Sequence, residues 1–206
     1  MDTAEVRQKY DAFAPSYDLT VGALDALGMR RLRRAMLRQA RGRVLEVGFG
    51  TGKNLASYPP GCEITGADLS WEMLKRARYK MAQRQLGWRC AQMDTHRLAF
   101  ADATFDTVVD ALCLCTYVDP VAALAEMARV CRAEGRILLL EHGRSRHGWL
   151  GRLQDRLAVS HAKAVGCIWN REPQECCEAA GLRVAVARRT FFGVFHVLEA
   201  IPWAAR

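Results

Sequence analysis

The stretch Arg43-Val-Leu-Glu-Val-Gly-Phe-Gly-Thr-Gly52 decides the fold of this chain. Its valines and its leucine are apolar, which predicts a buried strand of a parallel sheet. Three alternating glycines follow, and glycine allows a ligand to lie against bare backbone. We expect residues 53–57 to open a short helix. A strand, a glycine turn and a helix together predict a site for a nucleotide-type cofactor.

The spacing of Gly48, Gly50 and Gly52 narrows the kind of cofactor. It lacks the wider gap of the dinucleotide-binding fingerprint. Glu46 lies inside the strand, two residues before the first glycine. Because a carboxylate attracts an ammonium group and repels a phosphate, this position favours a ligand with an amino group over one with a pyrophosphate.

The segments after the glycine turn repeat the order of a strand followed by an acid. Residues 62–68 predict a second strand that ends in Asp68, 20 residues after the first glycine, where a carboxylate can accept both hydroxyl groups of a ribose. Ser70 is expected to cap the next helix. Asp94 follows the third predicted strand at 88–93. The other predicted elements are a fourth strand at 105–112, a helix at 120–131, a fifth strand at 136–141 tipped by His142, a short helix ending at Gly181, and a β-hairpin at 182–190 and 193–200.

A first helix is expected at the N-terminus. Residues 3–14 predict a helix capped by Asp2 or Thr3. This helix either packs on the core or forms a lid over the cofactor, with Tyr10 and Tyr17 pointing inward.

Residues 21–41 predict a second helix, with an apolar face that includes Gly28 and an opposite basic face. The segment 144–163 also mixes basic and apolar side chains, and we expect it to roof the substrate pocket. Both basic surfaces are either solvated or a docking surface for anionic headgroups. The residues expected in such a surface are Arg30, Arg31, Arg33, Arg34, Arg38 and the 144–163 segment.

The length of 206 residues and a hydrophobic content of 50% predict one folded domain with a full core. We divide it into an N-terminal helical section at 1–41 and a core at 42–206, which carries a basic helical insert at 144–170. The net charge of +8 predicts an anionic partner, which is a membrane surface, a nucleic acid or an acidic substrate. Nucleic acid is not expected, because the basic stretches hold few aromatic residues and no known binding motif.

The eight cysteines contain no CxxC pair. Cys113 and Cys115 are two positions apart and Cys176 and Cys177 are adjacent, and neither spacing fits a zinc site. We expect most of them to be small apolar core residues in a reducing compartment, and we expect no metal site. The sequence has neither a signal-peptide pattern nor an apolar run of the ~20 residues that a membrane span needs. It therefore predicts a cytoplasmic chain that is soluble or lies on a membrane surface.

In combination these motifs resemble the class I S-adenosylmethionine-dependent methyltransferases. The resemblance implies an α/β fold: a Rossmann-like seven-stranded sheet with helices on both faces, an N-terminal helical lid and an insert after the fifth strand. It rests on Glu46-Val-Gly-Phe-Gly-Thr-Gly52, Asp68, Met93-Asp94, Phe105-Asp106 and the turn Gly135-Arg136-Ile137.

The segment Phe13-Ala-Pro-Ser-Tyr-Asp18 resembles the entry motif of the ubiquinone- and menaquinone-methyltransferase-like branch. Within this branch the chain is most similar to the small bacterial phospholipid N-methyltransferases, which convert phosphatidylethanolamine stepwise to phosphatidylcholine. It also resembles the animal membrane-associated thiol methyltransferases through Tyr58-Pro-Pro-Gly-Cys62, Leu140-Glu-His142 and Gly166-Cys167. Those enzymes carry an N-terminal membrane anchor, and because we expect none here, the bacterial lipid enzymes are favoured.

The resemblance also implies which residues hold the cofactor. The three glycines would face its methionine part, Glu46 would lie near its amino group, and Tyr17 would close over that end. Asp68 would hold the ribose. The adenine would lie between Leu69 and Met73 and meet Asp94 and Thr95 with its edge. The full implied set is Tyr17, Glu46, Gly48, Gly50, Gly52, Asn54, Asp68, Leu69, Met73, Asp94, Thr95 and Leu112.

The methyl group of a sulfonium is already activated, so the implied chemistry requires no metal and no covalent intermediate. An ethanolamine headgroup is an ammonium in water and must lose a proton before it attacks. The candidate proton acceptors are His142, Tyr17, Tyr10 or a chain of waters, and His142 is alternatively a histidine that only hydrogen-bonds a loop. We expect a monomer at the inner face of the membrane with a phospholipid substrate. Methylation of a quinone precursor or a small thiol is the alternative.

Overall fold

A computed structural model describes residues 2–202, apart from the side chain of Leu24. The helices and strands alternate along the chain, as the sequence predicts. They are α1 (Thr3–Phe13), α2 (Tyr17–Leu24), a π-helical turn (Asp25–Met29), α3 (Arg30–Leu37), β1 (Arg43–Val47), β2 (Glu63–Asp68), α4 (Trp71–Gln83), β3 (Arg89–Gln92), β4 (Phe105–Ala111), a 3₁₀ turn (Leu114–Thr116), α5 (Pro120–Val130), β5 (Cys131–His142), α6 (Gly148–Val165), α7 (Pro173–Ala179), β6 (Leu182–Thr190) and β7 (Phe195–Pro202).

The seven strands form one sheet in the order β3-β2-β1-β4-β5-β7-β6. The first five strands pair in parallel, and β7 pairs antiparallel with β5 and β6. The predicted seven-stranded sheet and its C-terminal hairpin are therefore confirmed. The order of strands reverses between β1 and β4, and ligands of open α/β sheets bind at the carboxyl edge of such a switch point.

Alternating side chains of the central strands build a hydrophobic core on each face of the sheet. Ile137 and Leu139 pack with residues of α5 and α7 on one face. Leu138 and Leu140 pack with residues of α3 and α4 on the other. This is the period-2 alternation of a strand that is covered on both faces, and it fixes the carboxyl edge of the sheet as a rigid base for the site.

The prediction of one continuous helix at 21–41 is wrong. The chain breaks at Gly28, whose φ of 115° is accessible to glycine but strained for other residues. A Cβ at this position would lie 3.3 Å from the ring of Phe191, so the turn of the β6–β7 hairpin packs directly against the break. The two half-helices therefore do not share one apolar face and one basic face.

The short helix expected at 53–57 is also absent from the fold. These residues form turns, in which Leu55 N donates to Gly52 O at 3.3 Å and Ser57 N donates to Asn54 O at 2.8 Å. Their side chains are instead used in contacts within the site, described below. The cofactor end of β1 thus meets a loop rather than the N-terminus of a helix.

The predicted insert after the fifth strand forms α6, which ends at Gly166 with a left-handed φ of 75°. Nowhere in residues 2–202 is there a helix that is both long enough and apolar enough to cross a membrane.

Candidate active site

A cavity lies at the carboxyl edge of the sheet, at the switch point between β1 and β4. It has about 690 Å³ of empty space, the open solvent at its mouth included. The loops after β1, β2, β3 and β4 form its floor, and α1 and the start of α2 form its roof. The roof contributes Thr3, Val6, Arg7, Tyr10 and Tyr17.

Three aspartates of the N-terminal helices, spaced seven residues apart, anchor this roof to the core. Asp11 accepts a hydrogen bond from Ser70 Oγ at 2.5 Å. Asp18 accepts hydrogen bonds from Thr51 Oγ1 at 2.7 Å and from Lys80 Nζ at 2.6 Å.

The third of these aspartates, Asp25, forms ion pairs with Arg33 and with Lys53, the latter at 2.7 Å. Asp11 thus bonds to the residue just before α4, Asp18 to the glycine loop and to α4, and Asp25 to α3 and to the residue after the glycine loop. These contacts place Tyr10 and Tyr17 against the cavity.

The glycine loop forms the wall of the cavity below the roof. Gly48 has a φ of 59°, and a Cβ there would lie 2.0 Å from Cys113 Sγ, so the position admits only glycine. A Cβ at Gly50 would meet nothing nearer than Gly48 O at 3.8 Å and would stand in the cavity. Gly52 differs, because its Cβ would meet Leu55 at 2.7 Å in the core rather than a ligand.

Asp68 lies at the end of β2 and lines the same cavity. Its Oδ2 accepts a hydrogen bond from Gly50 N at 2.7 Å, and its Oδ1 accepts one from Ser70 N at 2.8 Å. Burial raises the pKa of this carboxyl to about 6. It is therefore mostly ionised at neutral pH and presents oxygen acceptors to a ligand.

A smaller cavity of about 280 Å³ adjoins the first, and Tyr17, Gly48 and Gly50 line both. Glu46 lies buried in its wall and accepts hydrogen bonds from Tyr58 Oη at 2.6 Å and Asn54 Nδ2 at 2.8 Å. Burial raises the pKa of Glu46 to about 7.

Arg33 and Lys53 also line the smaller cavity. The prediction of Arg33 as a surface arginine is wrong, because its residue exposure is 5% and it is paired with Asp25. Arg33 lies three and four residues before the buried Met36 and Leu37, so it shares the inward face of α3. A carboxylate and two cations in one small cavity suit the zwitterionic end of an amino acid.

The opposite end of the main cavity is lined by Leu69, Met73, Thr95 and Leu112. Leu112 has a φ of 67°, and its N–H donates to Glu141 Oε1 at 3.0 Å. The same oxygen accepts from Cys113 N at 3.2 Å, so Glu141 holds the strained turn that shapes this end.

Glu141 is a buried neighbour of Asp110. Burial raises the pKa of both groups, that of Asp110 to about 7, and the charge of Asp110 raises the pKa of Glu141 further. One of the two carboxyls is thus protonated near neutral pH, since two adjacent buried carboxylates repel each other.

Asp94 at this end of the cavity is oriented by His96, a contact that sequence reasoning missed. His96 Nδ1 lies 2.6 Å from Asp94 Oδ1, and Nε2 lies 3.2 Å from Asp119 N. Because Nε2 accepts from the amide, Nδ1 carries the proton and donates to the carboxylate. The motif Asp94-Thr-His96 contains the signal, but only the fold shows the contact.

Comparisons with known proteins agree with this geometry. Residues 45–139 match the sequence profile of a family described as a methyltransferase domain. A phosphatidylethanolamine N-methyltransferase of Cereibacter sphaeroides is 38% identical over 160 residues, which cover 77% of this chain and 78% of that protein. The chain is a class I S-adenosylmethionine-dependent methyltransferase.

Other relatives of this methyltransferase act on quinone precursors according to their names. A demethylmenaquinone methyltransferase of Deinococcus radiodurans is also 38% identical, over 143 residues. The match covers 66% of this chain and only 59% of that relative. The relatives therefore agree on methyl transfer and differ in the acceptor.

Solved structures confirm the fold of the methyltransferase. The Haloferax volcanii complex of the Trm112 activator with a methyltransferase contains a chain that matches with a TM-score of 0.77 at 18% identity, covering 98% of this chain and 99% of that one. A SAM-dependent methyltransferase of Thermotoga maritima matches with a TM-score of 0.69 at 19% identity, covering 96% and 100%.

The cavities of the methyltransferase fit S-adenosylmethionine, the cofactor of the family. Bare backbone at Gly50 leaves room for a ligand that a side chain would fill. Asp68 offers carboxylate oxygens for a ribose at the end of β2. The smaller cavity offers Glu46 for an ammonium group and Arg33 for a carboxylate.

The structure brings most of the predicted cofactor residues together. Those that line the main cavity are Tyr17, Gly48, Gly50, Asp68, Leu69, Met73, Asp94, Thr95 and Leu112. Glu46 and Asn54 line the smaller one. Gly52 supports the packing of the loop instead. Their individual roles toward the cofactor stay predictions.

The three predicted side-chain proton acceptors differ in their relation to the cavity. Tyr10 and Tyr17 line the cavity, but burial raises the pKa of both phenols well above the usual value. Each phenol is therefore protonated at neutral pH and acts through hydrogen bonds rather than as a base. His142 is absent from the described lining of the cavity, and its Nε2 lies 3.2 Å from Cys167 Sγ.

Proposed function

We propose that this methyltransferase transfers methyl groups to the amine of phosphatidylethanolamine and its methylated intermediates, giving phosphatidylcholine. The relative from Cereibacter sphaeroides supports this substrate by its name and by the extent of its match. The observation that carries the proposal is an exposed apolar surface around the roof of the cavity, which suits a substrate held in a bilayer.

We define this surface, the apolar rim, as Leu19, Leu27, Trp149, Phe191 and Phe192. Leu19, Leu27, Trp149 and Phe192 have 86%, 70%, 64% and 70% of their surface exposed. These residues come from α2, the π-helical turn, α6 and the β6–β7 hairpin. Exposed large apolar side chains in one region mark an interaction surface.

Contacts link the segments that carry Leu27, Phe191, Phe192 and Trp149. The ring of Phe191 packs against Gly28, next to Leu27. The rings of Phe192 and His147 lie 5.8 Å apart at the start of α6. The rim therefore joins the roof of the cavity to the insert, where the acceptor would enter.

Exposed arginines flank the apolar rim and suit the anionic surface of a membrane. Four of the predicted arginines of α3 and its end are exposed: Arg30, Arg31, Arg34 and Arg38. The insert adds Arg146, Arg152 and Arg156. Each basic residue near an anionic bilayer contributes about 1 kcal/mol of binding, and salt weakens the attraction. We place the enzyme at the inner face of the membrane as a monomer.

S-adenosylmethionine supplies an activated methyl group when bound, so the chain has to orient the amine and exclude water. Arg7 lines the cavity on α1 and offers a cation for the phosphate of the headgroup. Tyr10 lies on the same helix, and its phenol oxygen can accept a hydrogen bond from the amine N–H, which leaves the nitrogen lone pair free to attack. The roof thus provides partners for both polar groups of an ethanolamine headgroup.

Methylation of a quinone precursor is the second candidate. It is supported by the demethylmenaquinone methyltransferase of Deinococcus radiodurans, which has the same identity as the lipid enzyme over a shorter match. A small thiol is a third acceptor for the same cavity. These acceptors need neither the apolar rim nor the arginines.

Product analysis tests the proposed substrate. Purified protein and labelled S-adenosylmethionine are incubated with vesicles of phosphatidylethanolamine and an anionic lipid, and in parallel with a quinone precursor or a small thiol. Asp68→Asn serves as a control for background label. We expect mono-, di- and trimethylated phospholipid. Label only in the quinone or thiol reaction refutes the lipid substrate and leaves the cofactor site standing.

Vesicle sedimentation tests the docking surface. One variant replaces the four exposed arginines of α3 and its end with glutamine. The matched control replaces four exposed arginines elsewhere, Arg76, Arg84, Arg89 and Arg183. The first variant should bind anionic vesicles more weakly than the control, which has the same net charge. Equal binding of both variants contradicts the assignment of this surface.

A further inference from the structure

Three potential metal ligands lie together behind the cavity. They are the side chains of Cys115, His142 and Cys167, whose ligand atoms all lie within 4.8 Å of one another. Cys115 belongs to the 3₁₀ turn after β4, His142 ends β5, and Cys167 follows α6. Because the three come from distant parts of the sequence, the spacing of cysteines along the chain gives no sign of the cluster.

Hydrogen bonds that do not involve the three ligand side chains hold these segments in place. Ile168 N donates to Cys115 O at 2.9 Å. Because Ile168 directly follows Cys167, this bond holds the two cysteines near each other. His161 Nδ1 lies 2.9 Å from Cys167 O. These bonds keep the two sulfur atoms on facing segments.

Arg171 adds a second clamp on the 3₁₀ turn. Its guanidinium donates to Leu114 O at 2.9 Å and to Tyr117 O at 2.7 Å. The turn that carries Cys115 is thus fixed from the same segment that carries Cys167. A site whose ligands are positioned by the surrounding fold loses little entropy when a metal binds.

The chemistry of the three ligands selects the metal. Two thiolates and one imidazole are ligands that Zn²⁺ takes in tetrahedral sites, and three protein ligands leave a fourth position open. Both sulfur atoms belong to buried residues, with exposures of 3% for Cys115 and 9% for Cys167. Burial keeps solvent away from the two sulfur atoms. Thiolates are soft ligands, which do not favour Mg²⁺ or Ca²⁺.

We propose that Cys115 Sγ, His142 Nε2 and Cys167 Sγ bind one Zn²⁺, with the fourth position open to water or a small ligand. Each cysteine binds as its thiolate, so any proton that its sulfur carries is released on binding. The metal cross-links the end of the insert to the tips of β4 and β5, next to Thr116 in the wall of the cavity. A metal-bound Nε2 has no free lone pair, so on this assignment His142 is not the proton acceptor for the substrate.

Metal titration tests the proposal without reference to activity. The reduced, metal-stripped protein is titrated with Zn²⁺ against a chromophoric chelator in the absence of oxygen. Co²⁺ is used as a spectroscopic substitute, since thiolate ligation gives an intense charge-transfer band. We expect one Zn²⁺ per chain, a thiolate-to-cobalt band, and a higher unfolding temperature with Zn²⁺.

The matched variants are Cys167→Ser and His142→Gln as ligand changes, with Cys90→Ser as a control on β3. The ligand variants should weaken Zn²⁺ binding at least ~10-fold, and the control should leave it unchanged. Binding of S-adenosylhomocysteine by each variant verifies that it is folded. Absence of Zn²⁺ binding by the reduced wild type overturns the proposal, and so does equal Zn²⁺ affinity in all three folded variants.

Discussion

Replacing Gly50 with alanine separates the conformational role of this glycine from its role in the cavity. Gly50 has a φ of 56°, and a Cβ there has no neighbour nearer than 3.8 Å. The added methyl group therefore meets no protein atom and instead occupies the space of the ligand. Gly61→Ala is the matched control, because Gly61 has a φ of 85° and no atom within 4 Å of its Cβ, and it lies outside both cavities.

Both variants place an alanine in the left-handed region, which costs about 1 kcal/mol of folding free energy. For a chain of this length that cost lowers the unfolding temperature by about 3 °C. Only Gly50→Ala should also weaken the binding of S-adenosylmethionine. Losing the close approach of the ligand to the backbone should reduce affinity at least ~10-fold, which corresponds to about 1.4 kcal/mol.

The assay is isothermal titration calorimetry of each variant with S-adenosylmethionine, together with thermal unfolding of the unliganded proteins. Normal affinity in Gly50→Ala would show that the cofactor does not lie against this backbone. Equal losses of affinity in both variants would show that the effect arises from backbone strain and not from occupation of the cavity. Either result refutes the reasoning.

Three further changes test the site. The pKa of Asp68 is raised to about 6, so the fraction of its carboxylate form increases with pH. Because the carboxylate is the better acceptor for ribose hydroxyls, cofactor affinity should rise between pH 5 and 7. In Asp68→Asn the affinity should not depend on pH over this range. The same raised pKa means that the contribution of this group to stability decreases as pH rises from about 4 to about 6, measurable by urea unfolding. Arg33→Gln breaks a buried ion pair and should cost about 3 kcal/mol in urea unfolding, whereas Arg31→Gln should be neutral. Asp18→Asn removes partly exposed ion pairs, so calorimetry should detect weaker cofactor binding while unfolding detects a loss below about 1 kcal/mol.

Local sequence was sufficient to predict the features that depend only on neighbouring residues. The glycine loop, Asp68 at the end of β2 and the cap at Ser70 each follow from residues within one strand–loop unit. The parallel sheet follows from the same units, because short apolar strands alternate with helices. The predicted fold and the predicted cofactor are therefore confirmed, because both depend on periodicity and backbone conformation.

Predictions failed where one residue changed the geometry of a segment. The left-handed φ at Gly28 ends the regular helix predicted at 21–41, and Arg33, which we expected on its basic face, shares the inward face of Met36 and Leu37. The sequence held a signal in Asp25, the single acid of that segment, which pairs with Arg33 across the break. Helical periodicity cannot show this pair, because it assumes an unbroken axis.

Other features were inaccessible because they join distant segments. The cluster of Cys115, His142 and Cys167 forms only when the insert folds back onto the tips of two strands. Spacing rules detect metal sites whose ligands are close in sequence, and this cluster has gaps of 27 and 25 residues. The contact of His96 with Asp94 is local, but its second contact with Asp119 depends on the packing of α5.

The N-terminal helical section carries charged residues that face the core and others that are exposed, and on the proposed function this predicts that docking and cofactor binding can be separated. Its aspartates face the core and bond to Ser70, Thr51 and Lys53. The four exposed arginines of α3 and its end belong to the outer side and are absent from the described linings of both cavities. Because these arginines do not line the cofactor site, the four-arginine variant should bind vesicles weakly while its affinity for S-adenosylmethionine stays unchanged. A parallel loss of vesicle binding and of cofactor affinity would mean that these arginines also support the cofactor site, and it would refute the separation of the two surfaces.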